Sequence, residues 1–221
     1  MHMPLAKLSS LILLLVATLS CQGTRVAADP VLELRGGSGA SELGVSTDFG
    51  VVFLGRTSRS GAVELTAWYG DGPSIEFSVI EPLGGGLFTA EPQIKLPRVP
   101  ISFRTPRAGE TLRVIGRSGR ERWSADVTVR AEPQLEGLIV DVPAQVLERD
   151  GQAGAGLYRI GEKEHDLKLV GLVTGTVEVT GSDGATRRYL AAVGPDQLWR
   201  LVTYKRDFPR KRKWVYRADV L

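Results

Sequence analysis

Apolar and polar residues alternate in short segments along most of this chain. In "AVELTAW" the side chains of Val63, Leu65 and Ala67 would lie on one face of an extended strand. The segments "SIEFSVI", "TLRVIG" and "RWSADVTVRAEP" repeat this period of two, as does the short "ISFRT". Turn residues interrupt the pattern about every 8–12 residues, which predicts antiparallel strands with one face on a core and the other in water.

A second group of short apolar segments follows "AEPQLEG". They are "LIVDVPAQVL", "AGLYRIG", "HDLKLVGLV", "GTVEVTG", "TRRYLAAV", "LWRLVTYK" and "KWVYRADVL". "GSDGAT", between two of them, predicts a hairpin loop with Asp-Gly at its tip. We therefore expect two β-domains, an antiparallel sandwich over residues 30–133 and a small sandwich or barrel over residues 134–221.

Composition supports an all-β fold. The chain has 26 Gly, 12 Pro and two Met among 221 residues, and many Val and Thr. These residues favour strands and turns over helices. Only "DVPAQVLERDG" suggests a helical turn or two.

The order of motifs in the first half is similar to that of a known family. "DFGVVFLG" contains Phe49 and Gly50, "GGGLF" follows, and "ISFRTPRAG" contains Pro106 and Gly109. This order resembles the immunoglobulin-like ASH domains, of the abnormal-spindle and hydin type, which are close to the major-sperm-protein fold. The resemblance implies an immunoglobulin-like sandwich in which Phe49 enters the core and Pro106 and Gly109 shape a turn.

The N-terminus predicts export. A polar start with Lys7 precedes the apolar run "LSSLILLLVATLS". This run is shorter than the roughly 20 residues of a bilayer-spanning helix and suits the core of a signal peptide, with a core helix as the alternative. We assign residues 1–20 to a signal peptide and residues 21–29 to a tether.

Cys21 is the single cysteine of the chain. "TLSC" resembles the lipobox of bacterial lipoproteins, in which the cysteine takes a diacylglyceryl group and becomes the first mature residue. Ordinary cleavage after "VAA", which would leave Asp29 first, is the alternative. By either route the mature domains keep no free thiol and no disulfide within one chain.

Motifs for catalysis are lacking. His165 is the one histidine beyond the N-terminal segment, and it forms an acidic cluster with Glu162, Glu164 and Asp166. In an extended segment the side chains at 164, 165 and 166 alternate between the two faces, so we expect that they do not converge on a metal ion. The sequence has no G-x-S-x-G elbow and no P-loop. We therefore expect no enzyme, no cofactor and no metal.

The C-terminus is strongly basic, with eight Lys or Arg and two Asp or Glu between Arg200 and Leu221. The candidate binding residues are Lys205, Arg206, Arg210, Lys211, Arg212, Lys213 and Trp214. Basic and aromatic residues together bind anionic polymers or lipids. The alternative is a β-hairpin whose turn carries the charges while Trp199, Leu201, Trp214 and Tyr216 fill a core.

These observations lead to a functional hypothesis. The chain would be a non-catalytic lipoprotein of the cell envelope, anchored by Cys21 in the outer membrane, or else periplasmic or secreted. It would bind an envelope protein partner in an assembly. The alternative is an anionic cell-wall or surface polysaccharide bound through the basic hairpin. Export makes nucleic acid an unsuitable partner.

Overall fold

The computed structural model of the protein describes residues 30–36, 41–56, 65–68, 75–77, 80–92, 94–119, 121–132, 134–142, 146, 152–163, 166–181 and 183–203. Within these ranges the named elements are thirteen strands and one short helix. The strands are β1 (Val31–Gly36), β2 (Ser41–Thr47), β3 (Gly50–Phe53), β4 (Leu65–Trp68), β5 (Ile75–Phe77), β6 (Ile80–Gly84), β7 (Leu87–Ala90), β8 (Thr111–Ser118), β9 (Glu121–Arg130), β10 (Leu138–Asp141), β11 (Gly156–Ile160), β12 (Leu167–Thr180) and β13 (Thr186–Val193). The helix is α1 (Pro195–Leu198), and residues 200–203 are helical as well.

The strands form two units, so the prediction of an all-β fold is confirmed. The first is a seven-stranded sheet in the order β5-β4-β1-β2-β3-β7-β6. The second is a closed barrel in the order β10-β13-β12-β11-β8-β9. The strand pairs between these neighbours are antiparallel, and "GSDGAT" forms the β12–β13 hairpin loop as expected, with Gly184 at a φ of 75°.

The immunoglobulin-like sandwich expected for residues 30–133 is wrong. The first unit is one continuous sheet rather than two packed sheets, and β8 and β9 belong to the barrel with strands of residues 138–193. The chain therefore passes from the sheet to the barrel between Ala90 and Thr111, whereas the sequence predicted a domain boundary at residue 133. The alternating pattern was interpreted correctly as strands, but alternation does not specify which strands pair.

Alternation along the first sheet divides its side chains between two clusters. In β1, Val31 joins the large core that the sheet shares with the barrel, whereas Leu32 and Leu34 belong to the second cluster. That second cluster contains residues of the same sheet and of the segment after it, including Phe53 and Phe77. The sheet therefore curves around its own second cluster while its other face packs on the barrel.

Residues 91–110 connect the two units and touch both. Val99 pairs with Thr47 of β2, and Ile101 pairs with Leu169 of β12, each through an isolated parallel bridge. Ser102 N donates to Leu169 O at 2.8 Å. The segment "ISFRT", predicted as a strand, is therefore an extended connection that joins the sheet to the barrel.

The segment "LWRLV" is helical, not the extended hairpin strand that its apolar content suggested. Leu198 and Leu201 are three residues apart, and both are fully buried in the large core. Trp199, expected in a hairpin core, is instead 53% exposed. Among the described residues, no helix has the length and apolarity needed to cross a bilayer.

Candidate functional site

A cleft of about 570 Å³ lies between the sheet and the barrel. Its lining comes from chain segments that are far apart in the sequence. On the sheet side these residues are Glu33, Ser41, Glu42, Leu43 and Arg56, and on the barrel side they are Arg117, Ser118, Gly119, Gln152, Ala153 and Gly175.

A tight turn, Gln152–Ala155, forms part of the barrel side. Ala155 N donates to Gln152 O at 3.0 Å, and Gly154 at the third position has a φ of 86°. This conformation is typical of a type II turn, which favours glycine there. The carbonyl of Ala153 accepts from Leu43 N at 3.0 Å, while Gly154 N donates to Val173 O at 2.8 Å. The turn thus holds the sheet and the barrel together, with Ala153 lining the cleft.

Charged groups of both signs are buried in the cleft wall. The side chain of Glu42 is almost fully buried and accepts a hydrogen bond from Leu54 N at 3.0 Å. Arg117 is also buried. The guanidinium of Arg56 donates to the carbonyl of Thr174 and crosses from the sheet to the barrel. A buried carboxylate such as that of Glu42 needs hydrogen-bond donors such as Leu54 N, because its loss of solvent is otherwise costly.

Among the described strands, β12 extends beyond its partner on one side, next to the cleft. β11 pairs with β12 only from Leu167 to Leu172, whereas β13 continues to pair with β12 as far as Thr180. Within the described part of the chain, the stretch 174–180 therefore has a strand on one side alone. Gly175 of this stretch lines the cleft, so the open edge begins there.

Gln152 is held in place from two directions. Its side-chain amide donates to the carbonyl of Val146, and its Oε1 accepts from the hydroxyl of Thr176 at 3.2 Å. The side chain of Gln152 therefore connects the tight turn to the open edge of β12.

The cleft has hydroxyl groups but, among its described lining residues, no histidine. A serine nucleophile needs a base within hydrogen-bond reach, for which histidine is the commonest choice. Ser41 and Ser118 are the hydroxyl-bearing residues of the lining. The described residues bring together no cluster of three or more His, Cys, Asp or Glu side chains that would hold a metal ion.

His165 lies outside the described residues, but its flanking residues belong to the β11–β12 hairpin. Asp166 N donates to Lys163 O at 2.8 Å, and Gly161 N donates to Asp166 O at 2.7 Å. These bonds close the hairpin at the end opposite Gly156, which is next to the cleft. The five residues of β11 separate this end of the hairpin from Gly156. At roughly 3.3–3.4 Å per residue, the end of the hairpin therefore lies about 17 Å from Gly156.

None of the residues proposed from sequence is among the described lining of this cleft. Cys21 and the basic group of Lys205, Arg206, Arg210, Lys211, Arg212, Lys213 and Trp214 lie outside the described residues. Glu162 and Asp166 of the acidic cluster are exposed, and Glu164 is outside the description. Sequence reasoning missed the cleft because its residues share no motif; the glycine-rich "GQAGAG", which forms the tight turn, was its one local signal.

A second groove, of about 640 Å³, lies on the barrel. Ala108 and Gly109 form one side of it, and Arg130 and Asp141 form an ion pair of 2.8 Å within it. Its other arginines, Arg187 and Arg188, form ion pairs with Asp183 and Glu178. The groove lies on the barrel alone, so the cleft between the two units is the stronger candidate site.

No protein-family model and no curated protein matches the chain. Solved structures do match, and serine proteases are among them. An inactive form of the Rv3671c protease of M. tuberculosis H37Rv, a Ser343Ala mutant, has a TM-score of 0.54 at 17% identity, covering 84% of this chain and 93% of its own.

Two further structures come from unrelated sources. A serine endoprotease from Yersinia pestis has a TM-score of 0.56 at 19% identity over 81% of this chain and 63% of its own. A serine protease of a human pathogenic astrovirus has a TM-score of 0.52 at 14% identity over 76% of this chain and 91% of its own.

These matches correct the functional hypothesis. The expectations of a non-catalytic, protein-binding module with an immunoglobulin-like domain, and of a chain that is not an enzyme, are contradicted because these structural neighbours are serine proteases. The broader expectation of export agrees with these neighbours. At these identities the likeness concerns the fold: the sheet and barrel are arranged as in serine proteases.

Proposed function

We propose that this protein acts on polypeptides and that its cleft binds an extended polypeptide segment beside β12. The observation that carries the proposal is that, within the described part of the chain, residues 175–180 of β12 pair with a strand on one side only, starting from Gly175 at the cleft. An extended segment adds to such an edge through main-chain hydrogen bonds, while side-chain pockets provide specificity.

The lining of the cleft suits the polar backbone of such a segment. The hydroxyls of Ser41 and Ser118 both donate and accept hydrogen bonds. Glu33 and Arg56 add one charge of each sign. This polar lining matches peptide groups and charged side chains better than an apolar ligand.

Cleavage of the bound segment is a second candidate. The observation in its favour is the likeness to four structures of serine proteases. Of the described lining residues, Ser41 and Ser118 carry the hydroxyls that would attack a peptide carbonyl. Hydrolysis would also need a base within hydrogen-bond reach of one of these hydroxyls, and no histidine is among the described lining residues.

A pool of random decapeptides tests both candidates. The full chain is incubated with the pool, and bound and unbound peptides are identified by mass spectrometry. We expect a subset of peptides to be enriched, and we expect Ala153→Phe to abolish the enrichment because the ring occupies the cleft. Ala108→Phe places the same ring in the second groove and should leave the enrichment unchanged.

Either of two outcomes contradicts the binding proposal: no enrichment by the wild-type chain, or equal enrichment by Ala153→Phe. Ser118→Phe provides a second blocked cleft, and circular dichroism establishes that each variant is folded. New termini within the decapeptides indicate hydrolysis, which must then be lost in one of the two serine variants, Ser41→Ala or Ser118→Ala. Intact decapeptides reject the second candidate.

For location, we propose an exported protein anchored by acylation of Cys21, with the outer membrane as the target. The support is the sequence "TLSC" after an apolar run. The N-terminal peptide mass of protein purified from membranes should show a diacylglyceryl adduct on Cys21. An unmodified N-terminus at Asp29 would contradict it.

A further inference from the structure

One arginine lies at the point where the open edge of β12 begins. Arg56 follows the end of β3 on the sheet, and its guanidinium donates to the carbonyl of Thr174 on the barrel. Gly175, the next residue of β12, lies against the same guanidinium, because a Cβ there would be 3.8 Å from Arg56 Nη2. The cation is therefore held beside the first residue of the open edge.

Gly175 leaves this guanidinium accessible from the cleft. Both residues line the cleft, and Arg56 is exposed. Because glycine has no side chain, position 175 does not cover the cation, whereas a larger residue there would place its side chain against Arg56. A group bound along the edge can therefore reach the guanidinium directly.

The partner of Arg56 is a neutral group. A guanidinium has five N–H donors in a planar fork, and the carbonyl of Thr174 accepts from Nη2 alone. Among the described residues no carboxylate forms an ion pair with Arg56, whereas Arg130 pairs with Asp141 at 2.8 Å. The contact with Thr174 thus orients the side chain and leaves its charge uncompensated.

The two acids of the described cleft lining already have donors. Glu33 Oε1 pairs with Arg35 Nη2 at 2.8 Å. The carboxylate of Glu42 is almost fully buried in the wall and accepts from Leu54 N at 3.0 Å. The charge that the lining presents at the open edge is therefore the positive charge of Arg56.

The charges around the described lining leave a small positive excess. The lining contains two acids and two arginines, of which Arg117 is buried. Arg35 adds a positive charge at the margin, and Glu121 and Arg122 of the adjacent β8–β9 hairpin offset each other. An anionic group near Arg56 is therefore attracted by the surrounding charges as well as by Arg56 itself.

The uncharged groups of the lining also favour an acceptor. The hydroxyls of Ser41 and Ser118 can donate to an anionic oxygen. The side-chain amide of Gln152 is engaged by the carbonyl of Val146 and the hydroxyl of Thr176, so it does not compete for the same ligand. The cleft thus offers donors at the end where the open edge starts.

From this arrangement we infer that the segment bound beside β12 carries a carboxylate and that Arg56 binds this carboxylate at the start of the open edge. The group is an Asp or Glu side chain or the C-terminus of the segment, since each presents the same pair of oxygens. A planar guanidinium fits them through charge-assisted hydrogen bonds. The inference rests on the proposed binding of a polypeptide segment and adds the chemical class that the cleft selects.

Four pools of decapeptides test the inference with the full chain. The reference pool has no Asp or Glu and has amidated C-termini. A second pool contains Asp and Glu, a third has free C-termini, and a fourth has both. We expect the wild type to enrich the fourth pool at least about tenfold over the reference pool, as charge-assisted hydrogen bonds of ordinary strength would give. The second and third pools identify which source supplies the carboxylate.

Arg56→Gln removes the charge but retains an amide that can donate to the carbonyl of Thr174. The preference for carboxylates should disappear in this variant. Arg56→Lys keeps the charge without the planar fork and should retain part of the preference. Arg130→Gln is the matched control, because it removes an arginine from the second groove and should leave the preference as in the wild type. Circular dichroism establishes that each variant is folded.

The outcomes separate this inference from the proposed function. Equal enrichment of all four pools by the wild type would overturn the inference while peptide binding itself stood. A preference that survives unchanged in Arg56→Gln, or that is lost equally in Arg130→Gln, would also overturn it, because the carboxylate would then not be bound by Arg56. Absence of enrichment from every pool would reject the proposed function and the inference together.

Discussion

Gly154 is a residue at which the sheet and the barrel approach each other closely. Its φ is 86°, and a Cβ there would overlap the backbone of Leu43. Backbone atoms of a paired strand have no room to shift, so Gly154→Ala combines conformational strain with overpacking. We expect a loss of about 2–4 kcal/mol in the free energy of unfolding, measured by urea denaturation.

Gly109→Ala is the matched control for this prediction. Gly109 has a similar φ of 83°, but a Cβ there would meet no atom within 4 Å. This variant should lose only about 1 kcal/mol, because it has the conformational strain without the overlap. Equal losses in the two variants would mean that the contact with Leu43 is unimportant.

The carboxyl group of Glu110 is the clearest source of pH dependence. Arg159 Nε donates to Glu110 Oε1 at 2.6 Å and lowers the pKa of that carboxyl below its usual 4.5, against the effect of desolvation. A lowered pKa in the folded state gives stability that is present above the unfolded pKa and is lost as pH falls through the folded pKa. The ion pair should therefore stabilise the fold at pH 7 and not in strong acid.

Glu110→Gln tests this directly. At pH 7 we expect the variant to lose about 1 kcal/mol of unfolding free energy. We expect the gap to the wild type to close as pH is lowered well below 4.5, the usual pKa of the carboxyl. Asp183→Asn is the control, because the ion pair of Asp183 with Arg187 is exposed and contributes little. If the difference in unfolding free energy between Glu110→Gln and the wild type persisted unchanged in acid, the ion pair of Glu110 with Arg159 would not be the source of the pH dependence.

At the scale of elements, the C-terminal helical stretch is held by two leucines. Leu198 and Leu201 are fully buried in the core shared by the sheet and the barrel. Leu201→Ala should cost about 2–4 kcal/mol, the usual range for a buried leucine, whereas the half-buried Val202→Ala should cost less. Thermal unfolding of both variants measures these losses of stability. Similar losses in Leu201→Ala and Val202→Ala would mean that burial of Leu201 does not stabilise the helical stretch.

Strand positions were predictable because alternation is a local property. Leu112 and Val114 of β8, and Trp123 and Val127 of β9, are buried as their period of two predicts. Strand partners were not predictable, because pairing depends on residues distant in the sequence. The same pattern fits a sandwich and a barrel, and the assignment of β8 and β9 to the first domain was an error of this kind.

The helical stretch and the cleft were missed for different reasons. "LWRLV" is apolar enough to suit either a strand or a helix, and only the burial of Leu198 and Leu201 on one side distinguishes them. The cleft combines Glu33, Arg117 and Ala153, which only the packing of the sheet on the barrel brings together. No spacing along the chain encodes such a site.

At the scale of the whole molecule, the cleft and the point at which the N-terminal segment joins the fold lie toward opposite ends of β2. Ser41 lines the cleft at the start of β2, whereas Ser46, near the end of β2, donates its backbone N–H to Pro30 O at 2.8 Å. Five residues of extended strand separate these positions by about 17 Å. A membrane anchor at Cys21 would therefore join the fold at the end away from the cleft.

This separation predicts that anchoring through Cys21 does not obstruct the cleft. Decapeptides enriched by the detergent-solubilised full chain should bind with the same affinity when the chain is reconstituted in vesicles. Ala153→Phe should abolish binding in both settings, since it blocks the cleft and leaves the anchor unchanged. Loss of peptide binding in vesicles alone would mean that the bilayer covers the cleft, which would contradict attachment at the opposite end of β2.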